Sequence, residues 1–381
     1  MKFIHLADLH IGKTVKEFSM IEDQEYVLDR VVNIAKDEDI DAVLISGDVY
    51  DRSIPSEEAV RVFDEFIYRL SEIPVKVLLI SGNHDSDERL NFGSRLFEDK
   101  DIYFCTKYDG HLYKQTFEDE FGPLNFYLLP FVKASQVRYF FPQEILEDYD
   151  KAVRTVIEKA EIDRSERNVI LAHQFVTGDS SGVILGGSES AATVNVGNVE
   201  MIKYDCFDPF DYAALGHIHR AQKAGREEVR YAGTLLKYHI DEVDNENTIP
   251  IITMKEKGNL DIELRPVKPL RNMRRIKGPI NKLLSAENLR DTDDYIFAIL
   301  TDENPVNDAM TIFRRYYPNT LQIKYENSHT KELEMTEAEG YSEARSFTEI
   351  IGDFYRFMYK RDISEEEMAV MKEAAGKAGI S

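Results

Sequence analysis

Short apolar runs alternate with segments of helical period along the first half of the chain. Residues 2–7 (KFIHLA) form an apolar run that predicts a strand. Ser19 and Glu22 have capping-box spacing, and Val27, Val31 and Ile34 then recur on one helical face. Ala42–Ser46 is a second apolar run, ending in Gly47-Asp48. Pro55-Ser56 opens another helix, with Val60, Phe63, Ile67 and Leu70 in phase. Residues 75–80 are a third run, ending in Ser81-Gly82-Asn83-His84-Asp85. The order strand–helix–strand–helix–strand predicts a layered α/β fold, with β-sheets flanked by helices. Residues 168–172 and 212–215 add two more strands, ending at His173 and at Gly216-His217-Ile218-His219.

The second half changes character. Residues 229–265 have the pattern of β-hairpins: VRYAGTLLKYHI, IPIITM, a Lys-Gly-Asn turn and LDIELRPV. Residues 265–277 (RPVKPLRNMRRIK) are basic without a single acid, the composition of a linker into a second unit. That unit holds a helix over 307–316 between strands over 294–300 and 320–325, a small α+β arrangement. From 327 the chain is acidic, then helical, with Phe347, Ile350, Ile351, Phe354, Phe357 and Met358 crowding one face. The Gly/Ser-rich stretch 178–190 (GDSSGVILGGSES) reads as a mobile loop. Three segments result: 1–265, 266–326 and a C-terminal helical segment over 327–381.

Composition narrows the function. Of 381 residues, 43% are apolar, enough for a sizeable core. Lys and Arg total 47 against 70 Asp and Glu, a formal charge of −23. That excludes a basic protein that simply coats nucleic acid, but not an enzyme that gains positive charge from bound metal. The two cysteines, Cys105 and Cys206, cannot form a disulfide framework, which fits a reducing cytoplasm. No run approaches about 18 apolar residues, so no membrane span is expected. The N-terminus enters a strand at once without a signal-peptide pattern, so a cytoplasmic location is expected.

The candidate chemistry lies where the strands end. Five predicted strands deliver metal-competent side chains at their C-terminal ends: Asp8 and His10, Asp48, Asn83 and His84, His173, and His217 and His219. Sites in open α/β sheets form outside those ends. One such histidine would be structural; five ends bearing metal-competent residues point to a shared centre. Alternate residues at a strand end face the same way, so Asp8 and His10 can reach one ion, as can His217 and His219. Gly47, Gly82 and Gly216 each precede a candidate ligand and allow a sharp, close turn. A carboxylate such as Asp48 can bridge two ions about 3.5–4 Å apart. Mixed imidazole, carboxylate and amide oxygen suits manganese, iron or zinc.

The series D-x-H, G-D, G-N-H-D, a lone His and G-H-x-H, in this order, resembles the calcineurin-like metallophosphoesterases. The fuller wording, FIHLADLHIGK, LISGDVYDRSIPS, LISGNHDS, LAHQF, FDYAALGHIHRAQ and YAGTLLKY, resembles the SbcD family of nuclease subunits within them. The resemblance covers about 1–265. It implies a metallophosphoesterase nuclease domain, a DNA-binding cap over 266–326 and a C-terminal segment that binds the ATPase SbcC. It also implies two divalent ions, manganese foremost. One would be held by Asp8, His10, Asp48 and His219, the other by Asp48, Asn83, His173 and His217. His84 would be catalytic, donating a proton to the leaving oxygen or stabilising phosphate charge. The implied activity is a 3′–5′ exonuclease on duplex DNA and an endonuclease on single strands, in repair and recombination, as a homodimer within a heterotetramer. Some relatives carry a second functional histidine three residues after the bridging aspartate; Asp51 stands there in this chain.

The remaining candidates carry weaker signals. His5 lies inside a strand and reads as a core histidine; His111, His239 and His329 read as surface residues. Asp85 reads as the cap of a helix over 85–98. Arg220 suits either a phosphate contact or a solvated charge, and the basic run 265–277 either a DNA backbone track or a solvated linker. The apolar faces over 60–70 and 90–97 suit a core, or a homodimer bundle. Two other functions fit the motifs: a phosphoprotein phosphatase or cyclic-nucleotide phosphodiesterase, and a scaffold that has lost catalysis.

Overall fold

A computed structural model describes residues 1–178, 201–328, 347–359 and 361–377. The Gly/Ser-rich stretch beyond Gly178, His329, and the side chains of Phe347, Ile350, Phe357 and Met358 lie outside the described residues. The chain divides into two compact units, one of 1–276, 283–298 and 308–323, the other of 277–282, 299–307 and 324–381.

The first unit is built on two six-stranded sheets. In the first, β1 (Lys2–Leu6), β2 (Ala42–Ser46), β3 (Lys76–Ile80) and β4 (Ile102–Cys105) run parallel in that order. In the second, β5 (Tyr113–Asp119), β6 (Gly122–Leu129), β7 (Arg167–His173), β8 (Tyr212–Gly216), β9 (Gln222–Ala224) and β10 (Arg226–Tyr231) have the order β9-β10-β8-β7-β6-β5. The first sheet is completed beyond β1 by an antiparallel hairpin, β11 (Thr248–Met254) and β12 (Leu260–Pro266). The alternation of each strand sorts its side chains between layers. Phe3, Leu44 and Leu78 meet Phe126, Leu171 and Tyr212 between the sheets. Ile4, Leu6, Val43 and Val77 pack outward against the helices α1 (Ile21–Asp37) and α2 (Glu57–Ser71). Ile170, Ala213 and Leu215 pack outward with α3 (Tyr149–Lys159). The result is the expected layered α/β architecture, with every buried strand covered on both faces.

Several local expectations are corrected. Met20, not Ser19, precedes α1, and no capping box forms; Ser19 Oγ accepts only a 3.4 Å bond from Ile21 N–H. Ser56 does cap α2, accepting from Ala59 N–H at 3.2 Å. Val60 faces away from the α2 core, 46% exposed, because the buried stripe runs through Ala59, Val62, Phe63, Phe66, Ile67 and Leu70. The predicted helix over 85–98 is two short turns, Asp87–Leu90 and Ser94–Phe97; Leu90 is buried, but Phe92 and Leu96 are exposed. Only 226–231 of the first predicted hairpin is strand; β10 runs parallel to β8 and is not paired with β11.

The basic run is neither a free linker nor a free cationic stripe. Met273–Gly278 is a strand, in one sheet with Tyr295–Leu300 and Thr320–Tyr325; the predicted helix over 307–316 is Ala309–Arg314, and a single turn, Ile280–Leu283, is also helical. Arg265 pairs with Glu38, Arg271 with Glu22 and Asp23, Arg274 with Asp294 and Arg275 with Asp244. Tyr295 Oη donates to the buried Asp23 at 2.8 Å. These cations are spent on acids of the chain itself.

In the second unit, Ile280 N–H donates to Asp302 and Lys277 pairs with Glu326 at 2.7 Å. The helices Phe347–Tyr359 and Glu365–Lys377 belong to it, and Phe354 is 50% exposed on the first. No helix among the described residues is long and apolar enough to cross a membrane, and Cys105 and Cys206 are both free.

His5 sits between the sheets, fully buried, with Nδ1 3.0 Å from Tyr212 Oη. Its Nε2 meets no partner, and burial, aided by the charge of Arg230, lowers its pKa to about 3. The unfolded chain therefore takes up a proton near pH 6.5 that the folded chain refuses, so stability falls as pH drops from about 6.5 towards 3. In denaturant unfolding between about pH 4 and 6, His5→Asn should flatten that dependence by up to about 1.4 kcal/mol per pH unit. An unchanged slope would place the responsible proton elsewhere.

Candidate metal centre

The parallel strands of both sheets end at one place, so chain segments that are far apart in sequence deliver their polar residues to a common point. Asp8 and His10 follow β1, Asp48 follows β2, Asn83 and His84 follow β3, His173 ends β7, and His217 and His219 follow β8. All eight sequence-predicted site residues fall in this one cluster. Asp8, His10, Asp48, His173 and His219 are buried, His217 is half-buried, and Asn83 and His84 are exposed at the rim.

The turns that achieve this are strained and tight. Asp8 (φ 52°), His10 (φ 44°), Asp48 (φ 49°) and His217 (φ 99°) all hold left-handed backbone conformations, which cost non-glycine residues free energy. A Cβ on Gly82 would collide with Asp48, and one on Gly216 with Ser46 O, so neither position admits a side chain. The two sheets meet here through His173, whose Nδ1 lies 2.8 Å from Ser46 O.

Within the cluster, Asp48 is central. Its Oδ1 accepts the His84 amide N–H at 2.9 Å. Its Oδ2 lies 3.7 Å from His10 Nε2 and 3.4 Å from His173 Nε2, between two sets of ligand atoms. On one side, His10 Nε2 and His219 Nε2 face each other at 3.1 Å, and Asp8 lies with them. On the other, Asn83 Oδ1 is 3.0 Å from His173 Nε2 and 2.9 Å from His217 Nδ1. A carbonyl only accepts, so the bond to Ser46 O keeps a proton on Nδ1, and it is Nε2 that turns inward and offers a lone pair once the ring is neutral. Facing imidazole nitrogens and carboxylate oxygens, closed off from water, are donors that suit a cation. Carboxylate, imidazole and amide donors on both sides of a shared carboxylate fit a binuclear centre.

Burial and neighbouring charge pull the titratable groups of the cluster in opposite directions. Burial opposes charge on His173, but the carboxylates of Asp48 and Asp8 outweigh it and raise its pKa to about 9. Burial likewise opposes charge on Asp48, but His173 and His10 hold its carboxyl well below the usual range. Burial raises Asp8 to about 6 and lowers His217 to about 3 and His10 well below its ordinary value.

Several supporting residues carried no motif in the sequence. Glu242 is fully buried; Oε1 lies 3.2 Å from His219 Nδ1, and Oε2 accepts Tyr238 N–H at 2.6 Å. Such a carboxylate fixes the orientation and tautomer of a ligating histidine. Gln24 donates to His10 O at 2.8 Å and accepts Gly12 N–H at 2.9 Å, clamping the turn after β1. Asp85 neither caps a helix nor joins the cluster. It accepts N–H bonds from Val49, Tyr50 and Gly82, tying the β2 and β3 turns together. Only the capping-box reading of 19–22 pointed near Gln24, and nothing in the sequence set Glu242 apart from other acids. The Asp51 side chain pairs with Lys13 at 2.7 Å, while its backbone carbonyl lies 3.0 Å from His84 Nδ1. The link to His84 is thus independent of which side chain occupies position 51. Arg220 and His239 are half-buried, and His111 lies at the surface.

Fold and site together define a layered α/β metallophosphoesterase. The chain belongs to the calcineurin-like phosphoesterase family, whose family model matches residues 1–221. The model of the SbcD C-terminal domain, described as the type 5 capsule protein repressor C-terminal domain, matches residues 269–359. The chain is therefore a phosphoester hydrolase of the SbcD type. Among solved structures, a novel archaeal phosphodiesterase is similar over 69% of this chain and 99% of its own, at 13% identity and a TM-score of 0.31. A glutamine-dependent NAD+ synthetase from Acinetobacter baumannii, in complex with ADP, is similar over 100% of this chain and 73% of its own, at 9% identity and a TM-score of 0.29. Both likenesses are too loose to bear on the fold.

Two outcomes test the centre. Asp48→Asn should weaken the binding of both ions, whereas His10→Ala should weaken mainly one, because the bridging charge offsets repulsion between two dications. Metal analysis after dialysis measures both; equal, single-ion losses would remove Asp48 from the bridge. Metal uptake at pH 7 should also release about one proton, from His173, which is protonated below about 9 in the metal-free protein. Calorimetry in buffers of different ionisation enthalpy reads that proton, and the release should vanish near pH 10.

Proposed function

We propose that the chain is the nuclease subunit of an SbcC–SbcD complex: a manganese-dependent 3′–5′ exonuclease on duplex DNA and an endonuclease on single strands. The observation that carries this reading is one chain holding both a calcineurin-type cluster and an SbcD C-terminal match over 269–359. A stand-alone phosphatase needs no such second segment. Exposed Ile54, Tyr68, Phe92 and Leu96 support a homodimer, which covers apolar surface of this kind. The helix Phe347–Tyr359, with Phe354 exposed, supports docking of the C-terminal segment on SbcC. The formal charge of −23 fits a subunit that meets DNA mainly within such an assembly.

Asp8, His10, Asp48 and His219 would hold one ion, and Asp48, Asn83, His173 and His217 the other. Bound there, the two ions would polarise a phosphoryl oxygen and offset its charge. The residues of the chain do the rest. Asn83 and His84 are the exposed members of the cluster, so a phosphodiester approaches from their side. The amide of His84 is fixed to Asp48 and its Nδ1 to the Asp51 carbonyl, which leaves Nε2 free to reach the substrate. A proton on that Nε2 would pass to the departing oxygen as the phosphorus–oxygen bond breaks.

Manganese-dependent digestion of an end-labelled duplex, with and without SbcC, tests the whole reading; failure to degrade DNA in both would overturn it. His84→Ala should keep both ions but lower cleavage by about 10²–10⁴-fold, the usual contribution of a general acid. Loss of an ion from that variant would make His84 a ligand instead.

A further inference from the structure

A cavity of about 270 Å³ opens beside the His217–Asn83 side of the metal cluster. Asn83 and His217 of the cluster line it, together with Phe131, Phe175, Lys133 and Gln174. Its aromatic residues are part of the site's framework. Phe131 stands edge-on to His173 with ring centroids 6.3 Å apart, and Phe175 edge-on to His217 at 6.3 Å. The cavity is also held in shape. Phe131 N–H donates to Ser81 O at 3.0 Å, tying it to the strand end that presents Asn83. Buried Gln174 donates to Val132 O at 3.2 Å, fixing the turn between Phe131 and Lys133.

Two features point to the occupant. Lys133 is exposed, and among the described residues its ammonium makes no ion pair or hydrogen bond, although acids of the chain pair with many of its other basic residues. An unpaired cation beside a phosphoester-hydrolysing centre suits a phosphate. Aromatic walls next to it suit the flat face of a base, and stacking of that kind tolerates any base. The volume lies below the range of about 300–1,000 Å³ that holds drug-sized ligands, so it admits one nucleoside and no base pair.

We infer that this cavity receives the nucleoside next to the scissile phosphate, taken out of the duplex stack, with Phe131 and Phe175 against the base and Lys133 on a phosphate. The inference rests on the nuclease reading for its substrate. It makes Phe131 and Lys133 binding residues and makes an unpaired end or single strand the form that enters the site. Extrusion of a base in this way is least costly where pairing is already lost.

The test is calorimetric binding to the manganese-loaded full chain, using deoxythymidine 5′-monophosphate, deoxyadenosine 5′-monophosphate and 2-deoxyribose 5-phosphate. The two nucleotides should bind alike, and each about tenfold or more tightly than the baseless sugar phosphate. Phe131→Ala should abolish that margin while retaining both ions, and Lys133→Ala should weaken all three ligands. If Phe131→Ala does not fold, Phe131→Leu, which keeps apolar bulk without a ring face, should narrow the margin. Equal binding of nucleotide and sugar phosphate by the unaltered chain, or a margin that survives loss of the ring, overturns the inference. An oligonucleotide with an abasic residue beside the scissile bond separates DNA from free nucleotide as the source, and should be cut about tenfold more slowly than its normal counterpart. Equal cutting would confine the cavity to free nucleotides and overturn its role in cleavage. Duplex digestion without a base-dependent margin removes the cavity's role and leaves the nuclease reading standing; a margin without digestion does the reverse.

Discussion

A carboxylate shut away from water needs positive charge beside it, and Asp48 is only 2% exposed. Its position dictates much of the surrounding structure. One oxygen is fixed by the His84 amide, and the other faces His10 and His173. His173 comes from the second sheet, so the compensating charge can arrive only if the two sheets converge at their strand ends. The side-chain-free positions Gly82 and Gly216 permit that convergence, and the contact of His173 Nδ1 with Ser46 O fixes it. Asp48 in turn raises the pKa of His173, so the pair favours positive charge at this point. A divalent ion offers more charge in the same place, which is why the cluster has the character of a metal site and not of an ordinary buried ion pair.

Rigidity around this point comes from residues that take no part in binding themselves. Glu242 orients His219, Gln24 clamps the turn after β1, and Asp85 ties together the turns after β2 and β3. Strained backbone at Asp8, His10, Asp48 and His217 is sustained by this support. The inner members are dry and fixed, whereas Asn83 and His84 meet solvent at the rim. That gradient separates holding an ion from meeting a substrate, and it gives the cavity beside Asn83 and His217 a direction of approach.

The sequence by itself determined the layered α/β fold and the residues of the cluster. Strand and helix periods are local properties, and a ligand placed directly after an apolar run has its position set by the strand it follows. Only the tertiary structure decided the partners. Ser19 is placed to cap a helix, but the turn after β1 is closed by Gln24 instead. Asp85 has the position of a helix cap, yet it joins two loops. The run 265–277 has no acids within it, but acids far off in sequence, Glu22, Asp23, Glu38, Asp244 and Asp294, take up its arginines. Glu242 is one acid among many until folding buries it against His219. Charges and hydrogen bonds are satisfied by whatever lies nearest in space, and for a chain folded into two facing sheets that neighbour is often two hundred residues away in sequence.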